Sequence, residues 1–280
     1  MEPTEIPHTR AALVLDDVSA KKHKQSKSKR EKAHEISSVT MVVYEGEAVG
    51  VIGSPVDGTS LLLSLAAGLT QPDSGNVYVR SQPTMMDTAS EFDLDETLRF
   101  NVERTAMSLE LNGAKLKVAV NRVLARVGME AEADSLCSEL EPVDVERVRL
   151  AATLHAGPPL LLVDEPLARG RAFLEDIGRE GLERHLRLGR SLILVGRNPQ
   201  VMRRTCSRII WLRKGKIIMD DSTAIVSREF NRLSNVSDDK AKVGQLYRRY
   251  ARRYPGLNVI TQTTKHPETD GPEDRPPAHT

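Results

Sequence analysis

Only two cysteines occur in the 280 residues, Cys137 and Cys206, and they stand far apart. That scarcity excludes a disulfide framework and a cysteine-based metal site, and reduced thiols of a cytosolic chain are the expectation. Uninterrupted apolar runs are short, none approaching the roughly 18 residues that a spanning helix needs. The opening MEPTEIPHTR has no apolar signal segment. The chain is therefore expected to be soluble, and a role at a membrane would need spans from another polypeptide. Charge of one sign is missing as well: 40 Lys and Arg stand against 39 Asp and Glu, a formal net charge of +1. That balance speaks against a nucleic-acid partner and against an acidic, solvating chain. No internal repeat is visible.

What is present is an ordinary globular composition, 39% hydrophobic and 28% charged, with length enough for one large domain or two small ones. After a flexible tail over 1–10, strand-like segments at 11–15, 38–44, 47–52, 76–80, 158–163 and 191–195 are separated by helix-like ones. Residues 94–139 read as helical with a break at Asn112-Gly113, and further helices are expected at 145–154, 173–188 and 199–206. Residues 208–220 read as a hairpin. Strands alternating with helices predict an α/β layer fold with a parallel core. A C-terminal helix within 237–256 places Val243, Leu246, Tyr247, Tyr250 and Tyr254 on one stripe, as a helix docked on the domain would. Residues 257–280, rich in Pro, Thr, Asp and Glu, predict a disordered tail. The basic stretch 20–34 reads as a solvated loop; anionic lipid headgroups are the alternative.

The chemistry-bearing segment is EAVGVIGSPVDGTSLLLSLAAGL, a buried strand, a glycine-bounded turn and an apolar helix. Gly53, Ser54, Pro55, Val56, Asp57, Gly58, Thr59 and Ser60 lie on the phosphate-loop template of glycine, four residues, glycine, lysine and serine or threonine. Such a loop cradles phosphates with backbone N–H groups and a helix N-terminus, while its lysine reaches the β- and γ-phosphates. Here Thr59 stands in place of the lysine and carries no charge. Pro55 lacks an N–H.

The order of these segments, the turn GLTQPDSGNVYV and the run LLLVDEP resemble the ATP-binding subunit of ABC transporters. Leu167, Ala168, Gly170 and Phe173, the segment FDLDETLRFNV and the strand pair RIIWLRKGKI are similar to the branch exporting polysaccharide, O-antigen and teichoic acid. The resemblance covers residues 11–225. It implies a P-loop NTPase-like α/β domain over 11–236 with a small antiparallel β part and a helical lobe at about 90–150. It implies ATP and magnesium as cofactors, with Gly53, Ser54, Asp57, Gly58, Thr59 and Ser60 at the nucleotide, Ser60 and Asp164 at the metal, and Glu165 as catalytic base. It implies a transmembrane permease and a second nucleotide-binding subunit, identical or different, as partners, at the inner face of the plasma membrane.

The departures from the family pattern are specific. The signature loop aligns with Leu140, Glu141, Pro142, Val143 and Asp144, of which Leu140 alone is retained. Pro142 has no N–H, Val143 adds bulk, and Glu141 and Asp144 set negative charge toward phosphate. The switch histidine aligns with Arg197, no glutamine stands near Glu91-Phe92, and Lys22 or His23 replaces the adenine-stacking aromatic. Phosphoryl transfer depends on positioned cations and donors. The expectation is a subunit with weak or no ATP hydrolysis, acting in transporter assembly or regulation; the alternative is an active ATPase that uses Arg197 as its cation.

Overall fold

The computed structural model describes residues 10–21, 35–86, 92–108, 112–164, 172–236 and 240–253. Strands β1 (Ala11–Lys21) and β2 (Glu35–Tyr44) run antiparallel, and a glycine turn leads into β3 (Ala48–Ile52). Helix α1 (Thr59–Ala66) follows the phosphate loop, and β4 (Ser74–Val79) returns beside β1 to complete a three-stranded antiparallel sheet in the order β2-β1-β4.

A second, six-stranded sheet has the order β5-β6-β7-β3-β8-β9, built from β5 (Thr84–Met85), β6 (Leu160–Asp164), β7 (Ser191–Gly196), β8 (Arg208–Arg213) and β9 (Lys216–Ser222). Its strands pair in parallel except for the β8–β9 hairpin. AVGVI, LLLVD and SLILVG are continuous apolar runs because helices or the other sheet cover both faces. One core joins α1 to the two sheets through Leu61, Leu62 and Leu65. The opposite face is closed by α6 (Pro199–Thr205), α7 (Thr223–Ser234) and α8 (Lys240–Arg253) around Trp211.

A third core holds the helical lobe of α2 (Leu98–Ser108), α3 (Gly113–Val127) and α4 (Pro142–Ala156); α5 (Ala172–Arg187), between β6 and β7 in the chain, packs against α4. The expected helix over 94–139 is corrected here. Its last part, beyond Gly128, is turns and a single 3-10 turn (Cys137–Glu139). The Leu98 and Arg99 N–H groups donate to the carbonyls of Ser135 and Ala133, and Cys137 N–H donates to Glu96. Those tertiary bonds hold the segment against its helical propensity. Helix α7 was not anticipated. The docking stripe of α8 is observed for Val243, Leu246, Tyr247 and Tyr250, which pack into the Trp211 core; Tyr254 lies outside the described residues.

Both cysteines are free and buried, and burial pushes the Cys206 thiol up to about 12. No helix among the described residues is long and apolar enough to cross a membrane.

At the edge of this core Asp220 lies 3.5 Å from Arg208, which also pairs with Glu47 at 3.1 Å. Burial pushes the Asp220 carboxyl up to about 6 despite the opposing pull of Arg208. Because the folded chain holds this proton more tightly than the unfolded one, the stability it contributes is present below pH 4 and lost as pH rises through 6. Asp220→Asn mimics the neutral form. Between pH 4 and 7 it should gain on the wild type by on the order of 2 kcal/mol in chemical unfolding. Parallel pH profiles for the two proteins would count against this assignment.

Candidate nucleotide-binding site

The phosphate loop leaves β3 at the carboxyl end of the parallel strands, where Gly53 N–H donates to the Gly196 carbonyl at the end of β7 at 3.2 Å. A Cβ on Gly53 would lie 2.8 Å from the Leu212 carbonyl oxygen and 2.9 Å from Thr59 Cγ2. Gly58 has φ +98°, and its Cβ would lie 2.7 Å from the Glu35 carbonyl oxygen. Both template glycines are thus required, one for close approach and one for a left-handed backbone as well. Thr59 is buried at 1% exposure, its methyl against Gly53. The short side chain at the template's lysine position thus packs back on the loop.

Asp57 is the part of the loop that residue type alone did not explain. Residues 55–57 form a single 3-10 turn, and the Asp57 carboxylate accepts from Ser54 N–H at 3.0 Å and from Ser54 Oγ. Its other oxygen accepts from Lys214 N–H at 3.1 Å, in the β8–β9 turn, and Gly215 N–H donates to the Asp57 carbonyl at 3.0 Å. Asp57 N–H and Gly58 N–H are used within the turn, bonded to Ser54 and Pro55 carbonyls. The loop thus supplies its own carboxylate where an open loop offers N–H groups to phosphate. The first turn of α1 retains the anion-facing N–H groups of a helix start.

The two residues expected at a metal, Ser60 and Asp164, are brought together. Ser60 Oγ donates to Asp164 Oδ2 at 3.4 Å, across from α1 to the end of β6. A serine hydroxyl and an aspartate suit magnesium, which keeps several waters and takes few protein ligands. These two side chains would hold the ion, whose charge would neutralise nucleotide phosphates. Arg197 is exposed just beyond β7 and lines a cavity of about 630 Å³ together with Gly53, Ser54 and Asp57. Glu165, Lys22, His23 and residues 167–171 lie outside the described residues, and Phe173 falls in the first turn of α5.

The region aligned with the signature loop opens α4. Leu140 is packed against the core of the helical lobe, Glu141 is the N-cap residue and Pro142 the first helical residue. Asp144 is held by Arg147 at 2.8 Å within the same helix, and Arg147 also donates to the Val127 carbonyl. The negative charges thus sit at a helix N-terminus, which they stabilise. In the segment 92–101, Arg99 pairs with Asp134 at 2.8 Å, Asn101 is buried and bonded to Asp93, and Phe100 is exposed. The sequence reading missed Arg213 and Lys214, which line the same cavity as Arg197. The RKGK of the hairpin turn was the available signal.

Residues 36–168 match the family model for ABC transporters. The chain contains an ABC transporter ATP-binding domain. It is 32% identical over 217 residues to the methionine import ATP-binding protein MetN 1 of Yersinia pestis, covering 68% of this chain and 61% of that one. It therefore spans about three-fifths of the length of that relative. It is 24% identical over 247 residues to the energy-coupling factor transporter ATP-binding protein EcfA2 of Clostridium perfringens, covering 80% of this chain and 85% of the relative. Two solved structures share the fold of the ABC domain. An ATP-binding subunit of an ABC transporter superposes with a TM-score of 0.66 at 19% identity, covering 86% of this chain and 99% of its own. The dimeric cassette MJ0796 bound to ADP and phosphate gives 0.62 at 20% identity, covering 75% and 98%. The α/β architecture with a small antiparallel sheet and a helical lobe is that of ABC cassettes.

Removing the internal carboxylate of this ABC domain should free the loop for phosphate. Asp57→Ser is expected to tighten Mg-ATP binding by about tenfold, worth 1.4 kcal/mol, in calorimetric titration. Unchanged affinity in a folded variant would show that Asp57 does not compete with the ligand.

Proposed function

We propose that this chain is an ATP-binding subunit of an ABC transporter in which nucleotide is bound weakly and hydrolysed slowly, so that it acts in assembly or regulation. The observation that carries this reading is the phosphate loop itself. Its two glycines and the Ser60–Asp164 pair are kept, but Thr59 is buried where the template has lysine and Asp57 occupies donors of the turn. A magnesium nucleotide would meet Ser60, Asp164 and the N-terminus of α1, with Arg197 as the nearby cation and Glu165 as the base. Loss of one preorganised donor typically lowers turnover by about 10²–10³. Here a cation is lost and a carboxylate added.

The partners in this reading are a permease that supplies the membrane spans and a second cassette, with the chain peripheral on the inner membrane face. The MJ0796 cassette is dimeric, and the relatives are named for methionine import and energy coupling. Export of polysaccharide or teichoic acid rests only on the resemblance of the 167–173 run, the 92–102 segment and the 208–217 strand pair. The cargo therefore has to be identified by co-purification of the permease.

The testing experiment is Mg-ATP titration and hydrolysis by the full chain, with Thr59→Lys beside it. The wild type should bind with a millimolar Kd, and the lysine variant should bind at least about tenfold more tightly, as a restored phosphate cation implies. Micromolar binding with rapid hydrolysis by the wild type would overturn this reading in favour of an active ATPase that relies on Arg197.

A further inference from the structure

The cavity beside the phosphate loop is lined largely by residues of β8, α7 and α8. At about 630 Å³ it is in the usual size range of small-molecule sites, roughly 300–1,000 Å³. Its lining includes Gly53, Ser54, Val56 and Asp57 of the loop. Among the described residues that line it, Gly58, Thr59, Ser60 and Asp164 do not appear. The rest of its lining comes from β8 and the turn after it, α7 and α8: Trp211, Phe230, Leu233 and Val243 are apolar, while Arg213 and Lys214, with Arg197, are cationic.

Two carboxylates also line this space, and both are already engaged. Asp57 accepts from Ser54 and from Lys214 N–H, and Glu35 pairs with Lys21 at 3.4 Å. Arg213 is held over the ring of Tyr247, 4.1 Å from its centroid, so α8 fixes that cation in place. Trp211 is braced by Phe230 at 5.1 Å and Tyr250 at 5.8 Å, which makes the apolar wall rigid. An apolar wall with several convergent cations is the chemistry of an amphipathic anion site.

We infer that this chamber binds a small amphipathic anion, a single phosphate, sulfonate or carboxylate group on an aromatic or branched aliphatic body, separately from the nucleotide. The acidic group meets Arg213 and Lys214, and the body lies against Trp211, Phe230 and Val243. Because the chamber shares the phosphate loop and Arg197 with the nucleotide site, an occupant there would be felt by the nucleotide without touching Ser60 or Asp164.

Trp211 is the single tryptophan of the chain, so its fluorescence reports the chamber wall directly. The probe is 8-anilinonaphthalene-1-sulfonate, titrated into the full chain with and without millimolar Mg-ATP, beside the uncharged N-phenyl-1-naphthylamine. Saturable quenching of Trp211 with energy transfer to the sulfonate is expected, weakened at least about tenfold in the double variant Arg213→Gln and Lys214→Gln, as loss of charged hydrogen bonds implies. The uncharged probe should bind the two proteins equally. Val243→Phe, which fills the chamber and leaves its charges, should abolish quenching by the sulfonate. Retained quenching in Val243→Phe, or indifference to the charge substitutions, would overturn the inference, as would competitive displacement of the probe by Mg-ATP. Absence of ATP binding with the probe still bound would sink the proposed function and leave the chamber standing.

Discussion

Strand β3 is hydrogen-bonded on both sides by parallel neighbours, β7 at Ala48–Ile52 and β8 at Val49–Ile52. That pairing fixes where the chemistry of this chain is found. Parallel strands end at the same edge, so the loop after β3, Asp164 after β6, Arg197 after β7 and the turn after β8 converge there. Ligands of open α/β sheets bind at the carboxyl ends of their strands for this reason. The fully buried run AVGVI makes the register hard to shift, because a slip would break bonds on two sides at once. Each catalytic or binding residue then needs only its position in the chain to reach the site.

Within that frame the phosphate loop is closed by its own side chain. A carboxylate bonded to Ser54 N–H and Lys214 N–H is held by the kind of donors that bind a phosphate oxygen. The same contact fastens the loop to the β8–β9 turn, so the loop is ordered before any ligand arrives. A preorganised loop normally favours binding, since less entropy is lost on contact. Here the ordering is achieved with a negative charge, and order and affinity pull in opposite directions. Sequence comparison with a lysine-bearing template sees the missing lysine at Thr59; the carboxylate three residues after Ser54 changes the electrostatics just as much.

The strands and the glycine frame were legible because their signals are local and strong: continuous apolar runs for buried strands, and glycines at both ends of one turn. The pairing of Ser60 with Asp164 was legible from the family resemblance, and the geometry brings the two to 3.4 Å. The failure at 129–139 has a different origin. Glu130, Ala131, Glu132, Ala133 and Leu136 are good helix formers, but the carbonyls of Ala133 and Ser135 accept from Arg99 and Leu98 and the Cys137 N–H donates to Glu96, partners that no local window contains. The latch of Asp57 was hidden for a related reason. Ser54 followed three residues later by an acid is a capping pattern, yet its second partner, Lys214, is supplied by the far end of the sheet. The cavity wall from α7 and α8 was likewise invisible until the hairpin placed Arg213 and Lys214 beside the loop.

Charge accounting sets the order of events in the proposed subunit. The template loop attracts phosphate with a lysine; this one has no charge at Thr59 and a carboxylate at Asp57. Two unit charges 4 Å apart at the effective dielectric of a protein surface interact by about 4 kcal/mol before screening, so a change of two charges would weigh heavily against the cations that line the neighbouring cavity, Arg197, Arg213 and Lys214. The attraction that remains would come from the start of α1 and from a metal held by Ser60 and Asp164. Nucleotide affinity in such a site would follow magnesium more steeply than in a loop with its lysine, because the ion supplies most of the positive charge the phosphates meet. Hydrolysis would stay slow even when magnesium is abundant, since the ion restores attraction to the ground state but leaves the transferred phosphoryl without the lysine's stabilisation in the transition state. A subunit of this kind separates nucleotide occupancy from turnover, and occupancy alone is the signal that an assembly or regulatory role requires.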